Sequence, residues 1–148
     1  MTIQDTLEEI REDFASMEDW RERFQYIIDL GKEMDPLPEA LHTDDYLVEG
    51  CVSRVWFEGR LEGDRVVFRG DSDAVIVKGL VGLLVSIYSG HRPGEILAVP
   101  PDFLVDLGIS THLTPNRSNG LAALARRIQV LAASFQDILD RQADSNPG

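Results

Sequence analysis

Apolar positions near the start of the chain recur at helical spacing. Intervals of three and four residues predict an amphipathic first helix with its apolar face at Ile3, Leu7, Ile10 and Phe14. Ser16, followed three residues later by Asp19, resembles a capping box and predicts that a second helix opens there. Pro36 and Pro38 lack the N–H that a helix interior needs, so the second helix must end before them.

The apolar period changes in the middle of the chain. Two runs, 52–57 and 65–68, are rich in β-branched and aromatic residues, which is typical of strands. Gly63 and Asp64 lie between these runs and suit a tight turn, so we expect an antiparallel hairpin. Because a two-stranded hairpin is marginal by itself, it must lie against helices.

A third helix is predicted from Ala74 to about Tyr88, where the sequence is apolar almost all round, as in a buried helix. Gly79 and Gly82 allow a neighbouring element to approach this helix closely. Three side chains just before it are candidates for its N-cap: Asp71, Ser72 and Asp73.

The last part of the chain predicts short helical turns and then one long helix. Pro93, Pro100 and Pro101 divide the segment after the buried helix into short pieces. The long helix has apolar residues at helical spacing: Leu121, Leu124, Ile128, Leu131, Phe135 and Ile138. Residues 1–142 therefore predict one α+β domain, a small antiparallel β-sheet packed against several helices, and residues 143–148 predict a frayed tail.

The charge of the chain limits its partners. Its 148 residues include 14 Lys and Arg against 26 Asp and Glu, a formal net charge of −12. This excess repels nucleic acid phosphates and anionic lipids, so we expect no nucleic acid and no membrane as a partner. The N-terminus lacks a basic start followed by an apolar run, and the stretch Leu80–Tyr88 is too short to span a bilayer. We therefore expect an acidic, soluble, cytoplasmic protein.

Cys51 is the only cysteine of the chain. It cannot form an internal disulfide, and one thiolate cannot hold an iron–sulfur cluster or a structural zinc. The thiol is therefore either buried and inert or reactive. Gly50 permits a mobile loop tip, and a nearby Arg54 favours the thiolate while Glu49 opposes it. Composition alone leaves both interpretations open.

Four parts of the chain carry a further signal in their residue order. The loop before the hairpin reads Gly50-Cys51-Val52-Ser53-Arg54-Val55-Trp56. The other parts are 70–74 followed by 76–80, 112–117 followed by 119–121, and Trp20 with 26–31. Together they resemble the SufE family of sulfur-acceptor proteins over nearly the whole chain. The first part resembles the segment around that family's acceptor cysteine.

The resemblance implies a fold and a function. It implies the SufE fold, shared with the scaffold proteins of iron–sulfur assembly, and a Cys51 that takes a persulfide from a cysteine desulfurase of the SufS type. It further implies that the chain stimulates this desulfurase, is not itself an enzyme, and supplies sulfur to a downstream iron–sulfur scaffold complex. Pyridoxal phosphate belongs to the desulfurase, so no cofactor and no metal are implied for this chain. Val52 departs from the family, which often has Gln there.

An apolar shelter for the persulfide is expected around Cys51. Gly50 shapes the loop, and the apolar side chains expected to form the shelter are Leu47, Val48, Val52 and Trp56. Hiding the thiol in such a pocket protects an outer sulfur that is easily reduced or oxidised.

Arg117 is a candidate for a second role at the site. Thr114 and Pro115 predict the start of the long helix and place Arg117 in its first turn, where acidic residues are preferred. Arg117 either binds the anion at Cys51, or binds an acidic group of the desulfurase, or pairs with a nearby surface acid. Arg54 and His112 are further candidates for an anion or partner contact.

Two other function classes stay open on the residues alone. A small thiol enzyme, such as a cysteine hydrolase or thiol peroxidase, would pair Cys51 with His42 or His112 as a base. An acidic interaction module would merely pack Cys51 in its core. The chain's histidines, which include His91, have no metal-ligand spacing.

Three charged residues near the buried helix have simple structural explanations. Asp71 and Asp73 are more readily helix caps than a catalytic carboxylate pair. Lys78 is the single charge on an apolar helix, and we expect it to pair with an aspartate or to extend to solvent.

Overall fold

The structure is a computed structural model that describes residues 1–145. Two helices lead to a β-hairpin, which is followed by a central helix, two short helices and a long last helix, so the predicted α+β class is confirmed. The elements are α1 (Ile3–Ala15), α2 (Trp20–Glu33), β1 (Val55–Glu62), β2 (Arg65–Ser72), α3 (Val75–Tyr88), α4 (Pro93–Leu97), α5 (Phe103–Asp106) and α6 (Pro115–Ser145). Short 3₁₀ turns lie at Glu39–Leu41, Asp44–Tyr46 and Ser110–His112.

The hairpin formed by β1 and β2 is antiparallel along its full length. Gly63 and Asp64 connect the strands, as predicted, and Gly63 has a φ of 65°, a conformation that glycine adopts without strain. The predicted start of the first strand was wrong, because residues 52–54 lie before β1. There the side chain of Asp73, rather than a strand partner, accepts the backbone N–H of Arg54 at 3.1 Å.

The centre of the fold is α3, as its apolar sequence predicted. Leu83 and Ile87 on this helix have no exposed surface. α2 packs against α3 at glycines, since a Cβ added at Gly79 or Gly82 would lie 2.7 Å from the α2 backbone. α2 packs on one side of α3, and β2 and α6 pack on its other sides.

Helix caps differ from the sequence prediction. Ser16 is the C-cap of α1 and takes no part in α2, whose N-cap Asp19 accepts the N–H of Glu22 at 3.0 Å. α3 has Ala74 at its N-cap position and no side-chain cap. The side chains predicted to cap α3 bind other groups instead, and they are Asp71, Ser72 and Asp73.

The last helix, α6, begins as predicted. The hydroxyl of Thr114 accepts the N–H of Arg117 at 3.4 Å, and Pro115 occupies the first helical position. α6 continues to Ser145, and residues 146–148 of the predicted tail lie outside the described part of the chain. Within residues 1–145, no helix is long and apolar enough to cross a membrane.

Candidate functional site

Cys51 lies in a loop that is tied down on both sides. Gly50, just before it, has a φ of 91°, in the left-handed region that favours glycine. On one side of this tip the N–H of Val48 donates to a β1 carbonyl at 2.9 Å. On the other side the backbone of Arg54 is bonded to Asp73. The thiol therefore sits in a short free segment between two fixed points.

The Cys51 side chain turns back from the loop tip onto α6. Its Sγ lies 3.6 Å from the carbonyl oxygen of Gly120, a weak S–H···O contact. A Cβ added at Gly120 would lie 3.4 Å from the same sulfur. Burial raises the pKa of the Cys51 thiol, because the thiolate loses hydration there. In this position the neutral thiol is favoured.

A cavity of about 320 Å³ opens beside the thiol. Most of its wall is apolar and comes from β1, α3 and α6, through Val55, Val77, Leu80, Leu121 and Leu124. Its polar side lies at the start of α6 and includes Thr114, Asn116 and Arg117. A pocket with apolar walls and a few polar groups is suited to hold a small ligand group out of water.

The walls of this cavity differ from those that the sequence predicted. Val52 lines the cavity and stands 78% exposed at its mouth. Leu47, Val48 and Trp56 do not line it; Leu47 and Trp56 form a bridge with each other, and Val48 is buried in the core. The physical reason is the alternation of side chains along a strand, which turns Val55 inward and Trp56 to the other face.

Arg117 reaches the cavity from the first turn of α6. Its Nη1 atom is buried and has no hydrogen-bond partner among residues 1–145. In the same part of the chain Arg117 takes part in no salt bridge, so the pairing with a surface acid considered above is not observed. Leaving a buried donor unpaired costs about 1–3 kcal/mol, which an anion bound in the cavity would offset.

Arg54 and His112 do not line the cavity. The backbone N–H of Arg54 donates to Asp73, and Arg54 is exposed. His112 stacks on Trp20 with the ring centroids 3.9 Å apart, and its Nδ1 bonds the carbonyl of Gly108 at 2.7 Å. His112 therefore links the segment before α6 to α2.

Within residues 1–145, no histidine forms a hydrogen bond with the thiol of Cys51. The hydrogen bonds of His42 go to Asp71 at 2.8 Å and to the carbonyl of Pro38 at 3.2 Å. In residues 1–145, the hydrogen bond of Cys51 is the one to Gly120. A thiol enzyme needs a base within hydrogen-bond reach of its nucleophile. The geometry therefore does not favour the thiol-enzyme alternative.

Asp71 joins three elements behind the Cys51 loop. One carboxylate oxygen binds Nε2 of His42, and the other lies 3.3 Å from Nζ of Lys78 and accepts the N–H of Ser72 at 2.8 Å. Lys78 therefore pairs with an aspartate, one of its two predicted outcomes. Burial opposes ionisation of Asp71, but the bonds from His42, the Ser72 N–H and Lys78 outweigh it and lower the pKa of this carboxyl.

Sequence reasoning missed the residues that α3 and α6 bring to Cys51. Val77 and Leu80 look like ordinary core residues, and nothing in their local sequence marks them as cavity walls. Gly120 did carry a signal, since glycine in a helix interior costs about 1 kcal/mol relative to alanine. A glycine kept there indicates that another group comes close, and the group is the Cys51 thiol.

Comparison with known proteins shows the family. Residues 8–132 match the family model SufE, described as an Fe-S metabolism associated domain. The chain is 39% identical over 129 residues to an uncharacterised SufE-like protein of Rhizobium meliloti, a match that covers 84% of this chain and 92% of that protein. Its fold is similar to the solution structure of a hypothetical protein from Thermus thermophilus, with a TM-score of 0.75, 26% identity, and coverage of 89% of this chain and 96% of that one.

These matches define the class as a protein of iron–sulfur metabolism. Within that class the chain belongs to the SufE family, so the resemblance seen in the sequence is confirmed. Membership gives the chain a sulfur-transfer role, and the family implies an interaction with a cysteine desulfurase.

Proposed function

We propose that Cys51 accepts one sulfur atom from a cysteine desulfurase, carries it as a persulfide and thereby stimulates that enzyme. The observation that carries the proposal is the position of the single cysteine of a SufE chain. Its Sγ lies at a loop tip next to a glycine and beside a cavity with room for an added sulfur atom. In this proposal the chain is a carrier that is loaded by its partner, and not an enzyme acting alone.

The transfer is an exchange between sulfur atoms. The Cys51 thiolate attacks the outer sulfur of a persulfide on the desulfurase. A new S–S bond forms at Sγ of Cys51, the S–S bond of the donor breaks, and the donor cysteine leaves as a thiolate. The proton lost by Cys51 balances the one taken up by the leaving thiolate, so no oxidant or reductant is consumed. Removing the sulfur frees the donor cysteine for its next turnover, which is the physical basis of the stimulation.

The resting position of the thiol controls when it reacts. Because burial raises the pKa of Cys51, the closed loop holds the unreactive thiol. The loop must move outward for the donor persulfide to reach Sγ, and outside the cavity the thiolate regains hydration. Loop opening on the partner therefore combines access with activation.

Arg117 is proposed to bind the loaded cysteine. A persulfide is a stronger acid than its parent thiol, so the outer sulfur carries negative charge at neutral pH. The buried, unpartnered Nη1 of Arg117 lines the same cavity as Sγ and offers an N–H to that charge. The apolar walls, among them Val77 and Leu124, keep soluble reductants away from the sulfur.

The desulfurase is proposed to contact two exposed valines near the Cys51 loop. Val52 is 78% exposed and Val75 is 64% exposed. Val52 follows Cys51 directly, and Val75 begins α3 two residues after Asp73, whose side chain binds the backbone of Arg54. Large exposed apolar side chains next to a transfer thiol are typical of a protein contact. The later destination of the sulfur is proposed to be an iron–sulfur scaffold complex.

The test of the carrier role is to incubate the protein with a SufS-type cysteine desulfurase and free cysteine. Mass spectrometry is expected to show one added sulfur atom on Cys51 in the wild type and none in Cys51→Ser. The Ser variant is expected to keep its unfolding midpoint and to lose the stimulation. Undiminished stimulation by Cys51→Ser would leave a binding role alone and overturn the carrier role.

The partner contact is tested separately with matched valines. Val52→Ser is expected to weaken desulfurase binding severalfold, because it removes an apolar contact. Val130→Ser is the control, since Val130 is 56% exposed on α6 and lies ten residues beyond the Cys51 contact at Gly120. Equal binding of both variants would remove Val52 from the interface.

A further inference from the structure

A histidine side chain binds the segment that leads from α2 to the Cys51 loop to strand β2. Between α2 and β1 the chain forms only two short 3₁₀ turns. His42 lies in this segment, and both of its ring nitrogens are within hydrogen-bond distance of a partner. Nδ1 lies 3.2 Å from the carbonyl oxygen of Pro38, and Nε2 lies 2.8 Å from Oδ2 of Asp71 on β2.

Both partners of the His42 ring are acceptors. A carbonyl oxygen has no proton to donate, and an ionised carboxylate has none either. Asp71 is held in its ionised form by the ammonium of Lys78 at 3.3 Å and by the N–H of Ser72. Only the protonated imidazole, with an N–H on each nitrogen, donates to both partners at once. A neutral ring leaves one nitrogen lone pair facing an acceptor oxygen.

The histidine is linked to the Cys51 loop through Trp56. The two rings are 4.8 Å apart between centroids in an edge-on arrangement. Trp56 forms the bridge with Leu47, and the next residue, Val48, donates its N–H to β1 at 2.9 Å. These backbone contacts are the last fixed points before Cys51. A change at His42 is therefore transmitted to the base of the loop.

We propose that His42 is a positioning residue that clamps the base of the Cys51 loop most firmly when protonated and loosens it on losing the proton. The His42 clamp consists of His42, Asp71 and Lys78. The consequence of the clamp for sulfur transfer rests on the proposed function of Cys51. The effect of the clamp on the position of the Cys51 loop does not depend on that function.

The charges around His42 set the pH range of the clamp. The groups that face it are the carboxylate of Asp71 on β2, with Lys78 of α3 behind that carboxylate, and the uncharged ring of Trp56 on β1. The hydrogen bond to Asp71 is the main cause that raises the pKa of His42 above its usual value of 6.5, against the opposing effect of burial. The clamp is therefore complete below pH 6.5 and weakens as the pH rises through the raised value. At the acid end it is lost as the pH falls through the lowered pKa of Asp71.

Alkylation of Cys51 tests the clamp without any desulfurase. Iodoacetamide is applied to the wild type and to His42→Phe, which keeps a ring against Trp56 but has no N–H. The ratio of the two rates at each pH reports the opening of the loop, which both exposes the thiol and restores the hydration of its thiolate. The variant is expected to react severalfold faster than the wild type near pH 6, with the ratio falling toward one as the pH rises through the pKa of His42. His91→Phe, which removes a histidine on the far side of β2, is expected to show a ratio of one throughout.

A second variant links the loop to the titration of His42. Asp71→Asn removes the negative charge, so the pKa of His42, measured by NMR, is expected to fall. The pH at which alkylation of this variant accelerates is expected to fall with it. A rate ratio for His42→Phe that does not vary with pH would overturn the clamp, as would an Asp71→Asn variant whose His42 pKa moves while its alkylation profile stays. Sulfur uptake by Cys51 is measured separately, so neither result would count against the proposed function.

Discussion

At Gly120 the absence of a side chain decides where the Cys51 thiol lies. The sulfur packs against the helix backbone because nothing projects from this position, and a Cβ would already touch it at 3.4 Å. That distance is an ordinary contact and not a clash. A methyl group therefore fits beside the bare thiol, whereas a larger side chain fills the space that the sulfur occupies.

Substitutions at Gly120 are expected to separate stability from the position of the thiol. Gly120→Ala should raise the free energy of unfolding by up to about 1 kcal/mol, because alanine is the better helix former. Gly120→Leu should displace the Cys51 side chain from α6 and speed its alkylation. Urea unfolding and iodoacetamide kinetics measure the two effects. Equal alkylation rates for Gly120→Leu and the wild type would show that the thiol does not depend on this gap.

Arg117 is expected to matter for the loaded protein more than for the empty one. Arg117→Ala removes a buried N–H that has no partner, so the free energy of unfolding should not fall and should rise by up to about 1–3 kcal/mol. The same variant should lose its persulfide severalfold faster to a soluble thiol reductant, because the charge that stabilises the persulfide anion is gone. Arg54→Ala is the matched control, an arginine of the same loop region that does not line the cavity. If Arg117→Ala and Arg54→Ala retain the persulfide equally, Arg117 does not bind it.

The sequence predicted Cys51, Val52 and Arg117 at the cavity but not the walls that α3 and α6 provide. Cys51 was found because it is the chain's single thiol in a recognisable segment, and Arg117 because a cation is unusual in the first turn of a helix. Val77 and Leu80 are brought to the thiol only by the packing of α3 against β1 and α6. Such contacts between distant segments leave no local pattern that sequence reasoning can detect.

At the scale of elements, periodicity located the helices well, whereas capping residues located the start of α6 but misplaced the caps of α2 and α3. α1 buries the whole face that its apolar spacing predicts. α6 buries the predicted face only in its first half, at Leu121, Leu124 and Ile128, and leaves Ile138 42% exposed. Asp71 and Asp73 were wrongly assigned to the start of α3, because each has a partner from another element within 3.1 Å. Short polar side chains next to a helix serve as caps only when no tertiary contact competes for them.

The contact of α2 with α3 is expected to be intolerant of added atoms. Gly79→Ala places a Cβ 2.7 Å from the carbonyl oxygen of Ile27, so the two backbones must separate, at a cost of about 1–3 kcal/mol typical of overpacking. Gly94→Ala is the control, because in α4 the added Cβ meets only a side-chain oxygen at 3.5 Å. The control should be neutral or stabilising in urea unfolding. A Gly79→Ala variant as stable as Gly94→Ala would contradict the close packing.

At the scale of the whole molecule, the site is assembled from three distant parts of the chain. The loop at Cys51, the middle of α3 and the first turns of α6 meet at the cavity. The hairpin and α3 form the frame that brings them together, and the His42 clamp adds a tie from the segment after α2. The proposed site at Cys51 therefore depends on the complete fold, although the family resemblance is recognisable from four parts of the sequence.

The net charge of −12 is a second property of the whole molecule, and α1 shows it locally. Glu9 is exposed on α1, four residues from both Asp5 and Asp13 and three from Glu12, and side chains at these spacings are neighbours on a helix. Glu9→Lys turns three repulsive contacts into attractive ones and makes the net charge of the protein less negative. It should therefore raise the urea midpoint at low salt. Glu9→Gln, which removes the repulsion without adding attraction, should give a smaller rise. Both gains should shrink in about 1 M NaCl, where screening acts within about 3 Å. Gains that persist unchanged at high salt would mean that helix propensity, and not charge, sets the effect.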